Sequence, residues 1–204
     1  MTLRGPTKSS TIISMTPLNL GVELMSKPEN VYLVGVIPGP KEPSLTQLNN
    51  YIRPVINILR KSCPRFRESD DPEAYQRSAL SPDLGRIARS ALAVVVNDLP
   101  GARRLAQMAG PTSKFLCTMC DLFGIDHLHD TNYHSWRRLN NALVKRWAEE
   151  WRDASSVKDQ RTRFDNHGVR WSELWRLPYW DVTRQLAPEP MHALFLNVAE
   201  HLVR

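Results

Sequence analysis

Hydrophobic positions along the chain fall into a few legible patterns. Val31 to Ile37 (VYLVGVI) is an apolar, β-branched run ended by Pro38-Gly39-Pro40, which predicts a buried strand closed by a turn. Beyond it, Leu45, Leu48, Ile52, Val55, Ile56 and Leu59 recur on one helical face, Ser44 with Gln47 forms a capping-box pattern, and Pro54 predicts a kink. That face is expected to be core. Cys63 to Asp83 is polar, Pro-containing and of mixed charge, the composition of a surface excursion. A second strand is expected from about Arg86 to Asn97, with Val94, Val95 and Val96 buried, followed by a helix from Leu99 with Pro100 in its first turn. Trp136, Leu139, Leu143, Trp147 and Trp151 predict a helix whose other positions stay charged through Arg163. Met191, Leu194, Phe195, Val198 and Leu202 predict an apolar stripe on a final helix from near Pro190. The first thirty residues show no such period and read as a loosely held lead-in, with order beginning near Asn30.

Composition narrows the class. At 204 residues with 42% apolar and 24% charged positions, the chain is long enough for one domain with a real core. No stretch approaches 18 consecutive apolar residues and the N-terminus lacks a secretory apolar core, so a location inside the cell and no membrane partner are expected. The net charge of +6 favours polyanionic partners, and equally serves solubility. Three cysteines make no disulfide framework, and Cys63 is expected to be a free thiol.

Two features carry chemistry. Asp98 follows the apolar run at Val94 to Val96, where α/β sheets present their reactive groups, and the same residue is placed to N-cap the helix at Leu99. Cys117-Thr118-Met119-Cys120 has the spacing at which two thiolates reach one tetrahedral zinc, with Phe115 and Leu116 placed to pack the knuckle. Two further ligands are needed, and His127, His129, His134, Glu189, His192 and His201 are candidates, Glu189 and His192 lying three residues apart. Buried structural cysteines or a thioredoxin-like redox pair are the other readings. Arg103, Arg104, Arg137 and Arg138 are candidate phosphate contacts, with a solvated surface as the default. Of Trp136, Trp147, Trp151, Trp171, Trp175 and Trp180, all but one or two are expected in the core rather than stacked on bases.

Taken together, several blocks resemble a known family. Pro28-Glu29-Asn30-Val31-Tyr32-Leu33, Gly35-Val36-Ile37-Pro38-Gly39-Pro40-Lys41-Glu42-Pro43-Ser44, Asn97-Asp98-Leu99-Pro100-Gly101-Ala102-Arg103, the Cys117/Cys120 pair, Gly168-Val169-Arg170-Trp171-Ser172-Glu173-Leu174 and Leu177-Pro178-Tyr179-Trp180-Asp181-Val182-Thr183-Arg184 are similar to transposases of fungal CACTA-type elements, the Plavaka group in particular. The resemblance spans nearly everything from Pro28 to Arg204.

What the resemblance implies is an α/β fold with a partial RNase H-like core (strand, acid, helix) carrying a mostly helical, zinc-binding insertion. The expected segments are a loosely ordered 1–28, the partial catalytic core at 29–112 and the Trp-rich insertion at 113–204. In such enzymes three acids bind two Mg²⁺ or Mn²⁺ ions roughly 4 Å apart and cut and rejoin DNA at element ends. Asp98 matches the second acid, and Cys117, Cys120, Glu189 and His192 match the structural zinc ligands, with Glu189 where relatives carry Asp. The family's first acid lies upstream of the Pro-Glu-Asn block, and no aspartate precedes Pro28. Its third, a Glu, is expected beyond the Met-His helix, and Glu200 reads as a helix-surface residue. The expectation is an internal piece of a cut-and-paste transposase, inactive alone, nuclear, with transposon-end DNA as partner and an oligomer open to the complete enzyme. The alternative is a non-catalytic zinc protein of the same descent that binds DNA or a partner.

Overall fold

The computed structural model describes residues 10–39, 43–62, 75–78, 81–87, 90–127 and 129–203. The excursion after Cys63, with that thiol, lies for the most part outside them, as does Pro40. The fold is mixed α/β, and the chain divides into two compact units, Met1–Val55 and Ile56–Arg204.

In the first unit, β1 (Thr11–Met15) pairs antiparallel with β2 (Tyr32–Ile37), Thr11 opposite Ile37 and Met15 opposite Tyr32, with a register shift after Ile13. Strand β1 lies in the segment that showed no local period; its partner is 21 residues away, and local pattern carries no trace of it. Expected to be buried, β2 buries only Ile37, while Tyr32, Leu33 and Val36 are exposed, because its sheet has two strands and no layer covers the outer face among the described residues. A short α1 (Val22–Met25) lies between the strands.

Helix α2 (Leu45–Ser62) straddles the unit boundary. Its start is the predicted reciprocal cap: Ser44 Oγ accepts from Gln47 N–H at 3.3 Å, and Gln47 Oε1 accepts from Ser44 N–H at 2.9 Å. Ile52, Ile56 and Leu59 are buried on the predicted face, and Pro54 sits inside the helix, where it removes one backbone donor.

The expected strand from Arg86 to Asn97 is two separate elements. Antiparallel β3 (Tyr75–Ser78) and β4 (Ser81–Ile87) form one pair, and β5 is only Val95–Asn97. Strand β5 pairs parallel with β6 (Leu186–Pro188), Val95 opposite Leu186 and Asn97 opposite Pro188. Val96 is half exposed, again because the sheet has two strands. The described strands thus form three separate two-stranded sheets.

Helix α3 (Leu99–Leu105) follows β5, and a helical hairpin, α4 (Asn141–Arg152) and α5 (Val157–His167), follows the Cys knuckle. The predicted single helix through Arg163 is therefore two, broken at Asp153–Ser156, where Ser156 caps α5; Trp136 and Leu139 precede it. The core of this unit is built by Ala102 and Ala106 of α3, Val144 and Ala148 of α4, and Leu174, Trp175, Leu177 and Trp180. Of the six tryptophans only Trp175 and Trp180 are fully buried; Trp136, Trp147, Trp151 and Trp171 are half-buried. Residues 172–185 are tied down by polar bonds at long range. Ser172 Oγ donates to Leu105 O (3.0 Å), Tyr179 Oη accepts from Leu92 N–H (3.0 Å), and Asn141 bridges to Trp180 O and Val182 N–H. These bonds hold α6 (Val182–Gln185), and so β6, against β5.

The final helix begins at Met191 with a wide π-type run to Ala199 and ends as α7 (Glu200–Val203). Its apolar stripe is not core: Leu194, Phe195, Val198 and Leu202 are more than half exposed. Among the described residues no helix is long and apolar enough to cross a membrane.

Helix α5 ends at Gly168, whose φ of +67° is a left-handed cap and whose missing side chain makes room for the Phe115 ring. Gly168→Ala is expected to lose about 1–3 kcal/mol from combined strain and clash, read as a lower midpoint in urea with unchanged slope.

Candidate functional site

Parallel pairing of β5 with β6 brings two carboxylate-bearing residues to adjacent strand ends. Glu189 N–H donates to Asn97 O at 2.6 Å, so Asp98 and Glu189 are the first residues past the C-terminal ends of neighbouring strands. Each also opens a helix. Asp98 Oδ1 accepts from Gly101 N–H at 2.8 Å, the N-cap expected of it. Glu189 Oε1 accepts from Met191 N–H (2.8 Å), and its Oε2 from His192 N–H (3.0 Å) and against His192 Nδ1 (2.5 Å). These donors, the backbone N–H of His192 first, hold the Glu189 carboxyl below the usual glutamate range. Asp98 is exposed and Glu189 half-buried.

The Cys-x-x-Cys forms a tight knuckle. Phe115 and Phe123 form an isolated antiparallel bridge and stack edge-on at 5.2 Å, and Cys120 bridges Arg138. Cys117 Sγ accepts from the N–H groups of Met119 and Cys120, each at 3.3 Å. Two backbone donors thus converge on this one sulfur. Burial and the neighbouring Cys117 push the Cys120 thiol up. This donor set fits one half of a zinc site. The other half is not beside it: among the described residues no three His, Cys, Asp or Glu side chains converge to hold a metal ion. Cys117/Cys120 and Glu189/His192 stand as two pairs, the second engaged with its own helix start. His127, His129, His134 and His201 are exposed.

A cavity of about 140 Å³ lies under the knuckle, lined among others by Cys117, Cys120, Phe115, Phe123, Trp147 and His167. His167 was not among the sequence candidates. Its ring lies flat on Trp147, centroids 4.5 Å apart at 6°, and burial holds its pKa below the ordinary histidine value. In the sequence it is marked only as the last residue before a Gly helix cap.

The arginines divide. Arg137 and Arg138 are exposed and Arg104 half-buried. Arg103, expected as a phosphate contact, is 2% exposed, and its guanidinium donates to four carbonyls, those of Ala109, Gly110, Phe115 and Leu116. It cannot reach DNA in this fold. Its place between Ala102 and Ala106 on the inward face of α3 is why, and those two small residues were the available signal.

No family model matches the chain, and neither a curated protein nor a solved structure matches it.

Replacing Asp98 tests the cap. Asp98→Ala is expected to cost about 1 kcal/mol through the lost cap, whereas Asp98→Asn keeps a capping oxygen and should leave the thermal midpoint within a degree or two. A midpoint drop in Asp98→Asn as large as in Asp98→Ala would contradict this assignment. For His167, a folded pKa below the unfolded one means the unfolded chain binds more protons in mild acid, so its contribution is complete above about pH 6.5 and declines below it. His167→Phe, which keeps a ring on Trp147, is expected to flatten the dependence of stability on pH between about 7 and 5.

Proposed function

We propose that this chain is part of a DNA transposase of the cut-and-paste, two-metal type, and that its β5–α3 segment belongs to an RNase H-like core. The observation that carries the reading is the parallel β5–β6 pair, which sets Asp98 and Glu189 side by side at the C-terminal strand ends. Carboxylates from adjacent strand ends are what a pair of divalent cations requires in phosphoryl transfer. Asp98 and Glu189 are the residues that would hold a Mg²⁺ or Mn²⁺ ion, which when bound supplies charge to activate the attacking oxygen and to stabilise the leaving one. This chain's own contribution is to orient the two carboxylates: Asp98 accepts from Gly101 N–H, Glu189 accepts from Met191 and His192 N–H, and the latter bonds hold the Glu189 carboxyl below the usual glutamate range. Asp98 alone matches one of the three acids that strand transfer uses, and Glu189, expected as a zinc ligand, is proposed here as a second carboxylate beside it; the pair falls short of three, so this chain alone is expected not to cut.

Mn²⁺ added to the isotopically labelled chain is expected to broaden amide signals around Asp98 and Glu189, and to do so no longer in Asp98→Asn. Absence of broadening there in the wild-type chain sinks the site. Labelled duplex ends with Mg²⁺ or Mn²⁺ should show no specific nicking, and nicking abolished by Asp98→Asn would refute the inactivity of the isolated chain while upholding Asp98 as catalytic.

A second reading, a non-catalytic zinc-containing protein that binds DNA, is favoured by one observation: the two N–H donors on Cys117 Sγ suit a metal-bound thiolate and need no catalysis. It predicts duplex binding that weakens steeply as salt rises, with Arg137 and Arg138 contributing; binding indifferent to ionic strength removes it.

A further inference from the structure

We propose that Arg103 is the positioning residue of the Cys117–Cys120 knuckle, holding it in the shape that accepts a thiophilic divalent cation such as zinc or cadmium. The proposal rests on the metal reading of the cysteine pair and assigns to it a residue outside that pair.

Geometry comes first. Arg103 Nη1 donates to Ala109 O (3.1 Å), Gly110 O (3.0 Å) and Phe115 O (2.8 Å), and Nη2 to Leu116 O (2.5 Å). Phe115 and Leu116 are the residues that lead directly into Cys117. One side chain of α3 therefore fixes both the beginning and the end of the loop that delivers the first sulfur. The rigid planar fork of a guanidinium serves several acceptors in one fixed geometry, which the rotatable ammonium of a lysine does not impose.

Charge is the second argument. Arg103 is 2% exposed, and a buried cation is costly unless an anion or several dipoles answer it. Four carbonyl dipoles answer in part, its Nε has no partner, and the ionisable group acting on it is Cys117. Cys117 in turn accepts two backbone N–H bonds. Outer residues of this kind, which hold ligands rather than bind the ion, change metal affinity by about 10–100-fold when removed.

The clasp has a mechanical consequence. Arg103 belongs to the helix that Asp98 caps, four residues from the helix start, so the knuckle and the strand-end carboxylate are mounted on one short rigid element.

The test is a Cd²⁺ titration of the full chain, followed by the ultraviolet sulfur-to-cadmium charge-transfer band, with circular dichroism recorded on every variant. Wild type is expected to bind one Cd²⁺ per chain. Arg103→Gln should bind about tenfold more weakly or worse, Arg103→Lys should recover part of the loss, and Arg161→Gln, an exposed arginine on α5, should match wild type. Arg103→Gln that folds and binds as tightly as wild type overturns the proposal. If Arg103→Gln fails to fold, the lysine variant decides: weaker binding with an intact fold supports the clasp, and wild-type affinity overturns it. Wild type that shows no charge-transfer band, or that keeps it in a Cys117→Ser/Cys120→Ser double variant, refutes the metal reading itself, and this inference with it.

Discussion

A guanidinium buried without a carboxylate partner is an expensive object, and much of the larger unit is arranged around the one on Arg103. Its four carbonyl acceptors come from two places, the turn after α3 and the segment into the Cys knuckle, so the charge can be satisfied only if both are held where they are. The turn shows the cost. Gln107 adopts a left-handed conformation with φ of 60°, rare outside glycine, and closes α3 with the bonds of Gln107 N–H to Arg104 O and Met108 N–H to Arg103 O. Arg170 N–H then donates to Gln107 O and Met108 bridges Val169, which carries the constraint on to the segment after α5. Small residues at Ala102 and Ala106 let that segment approach α3 closely.

The strand-end carboxylates and the cysteine knuckle lie at opposite ends of the logic of α3. At its N-terminus Asp98 caps it, while Glu189, from the adjoining strand, caps the final helix. On its inward face Arg103 bonds the carbonyls that lead into the cysteine knuckle. Capping does not exhaust a carboxylate, since each offers about four lone-pair directions and the cap occupies one. The Asp98 that stabilises a helix and the Asp98 that would bind a cation are therefore compatible within one side chain. The Glu189 carboxylate, with both oxygens occupied, has less to spare.

What was legible in the sequence was local. The Ser44/Gln47 box, the buried face of α2, the Asp98 cap and the start of α3 follow from spacing alone, because each depends on residues within one helical turn. The β1–β2 and β5–β6 pairings were not legible, since partner choice between distant strands leaves no local period. Arg103 was misassigned because its type suggested a surface and only its two alanine neighbours argued otherwise. Hydrophobic spacing located the last helix correctly and misjudged its environment: periodicity reports that a face is apolar, not that anything covers it. The two halves of the expected zinc set were each recognisable, but whether they meet is a tertiary question that spacing cannot answer.

The pairing of Val95 with Leu186 also constrains how this chain comes into being. As the protein emerges from the ribosome, β5, Asp98 and α3 are complete on the order of ten seconds before the residues of β6 have been made. During that interval the first strand of the pair has an open edge on the side that β6 later takes. Closure of a loop this long is entropically slow compared with formation of the α4–α5 hairpin inside it. The helical hairpin and the knuckle are thus expected to be in place first, serving as the internal scaffold on which the late strand docks.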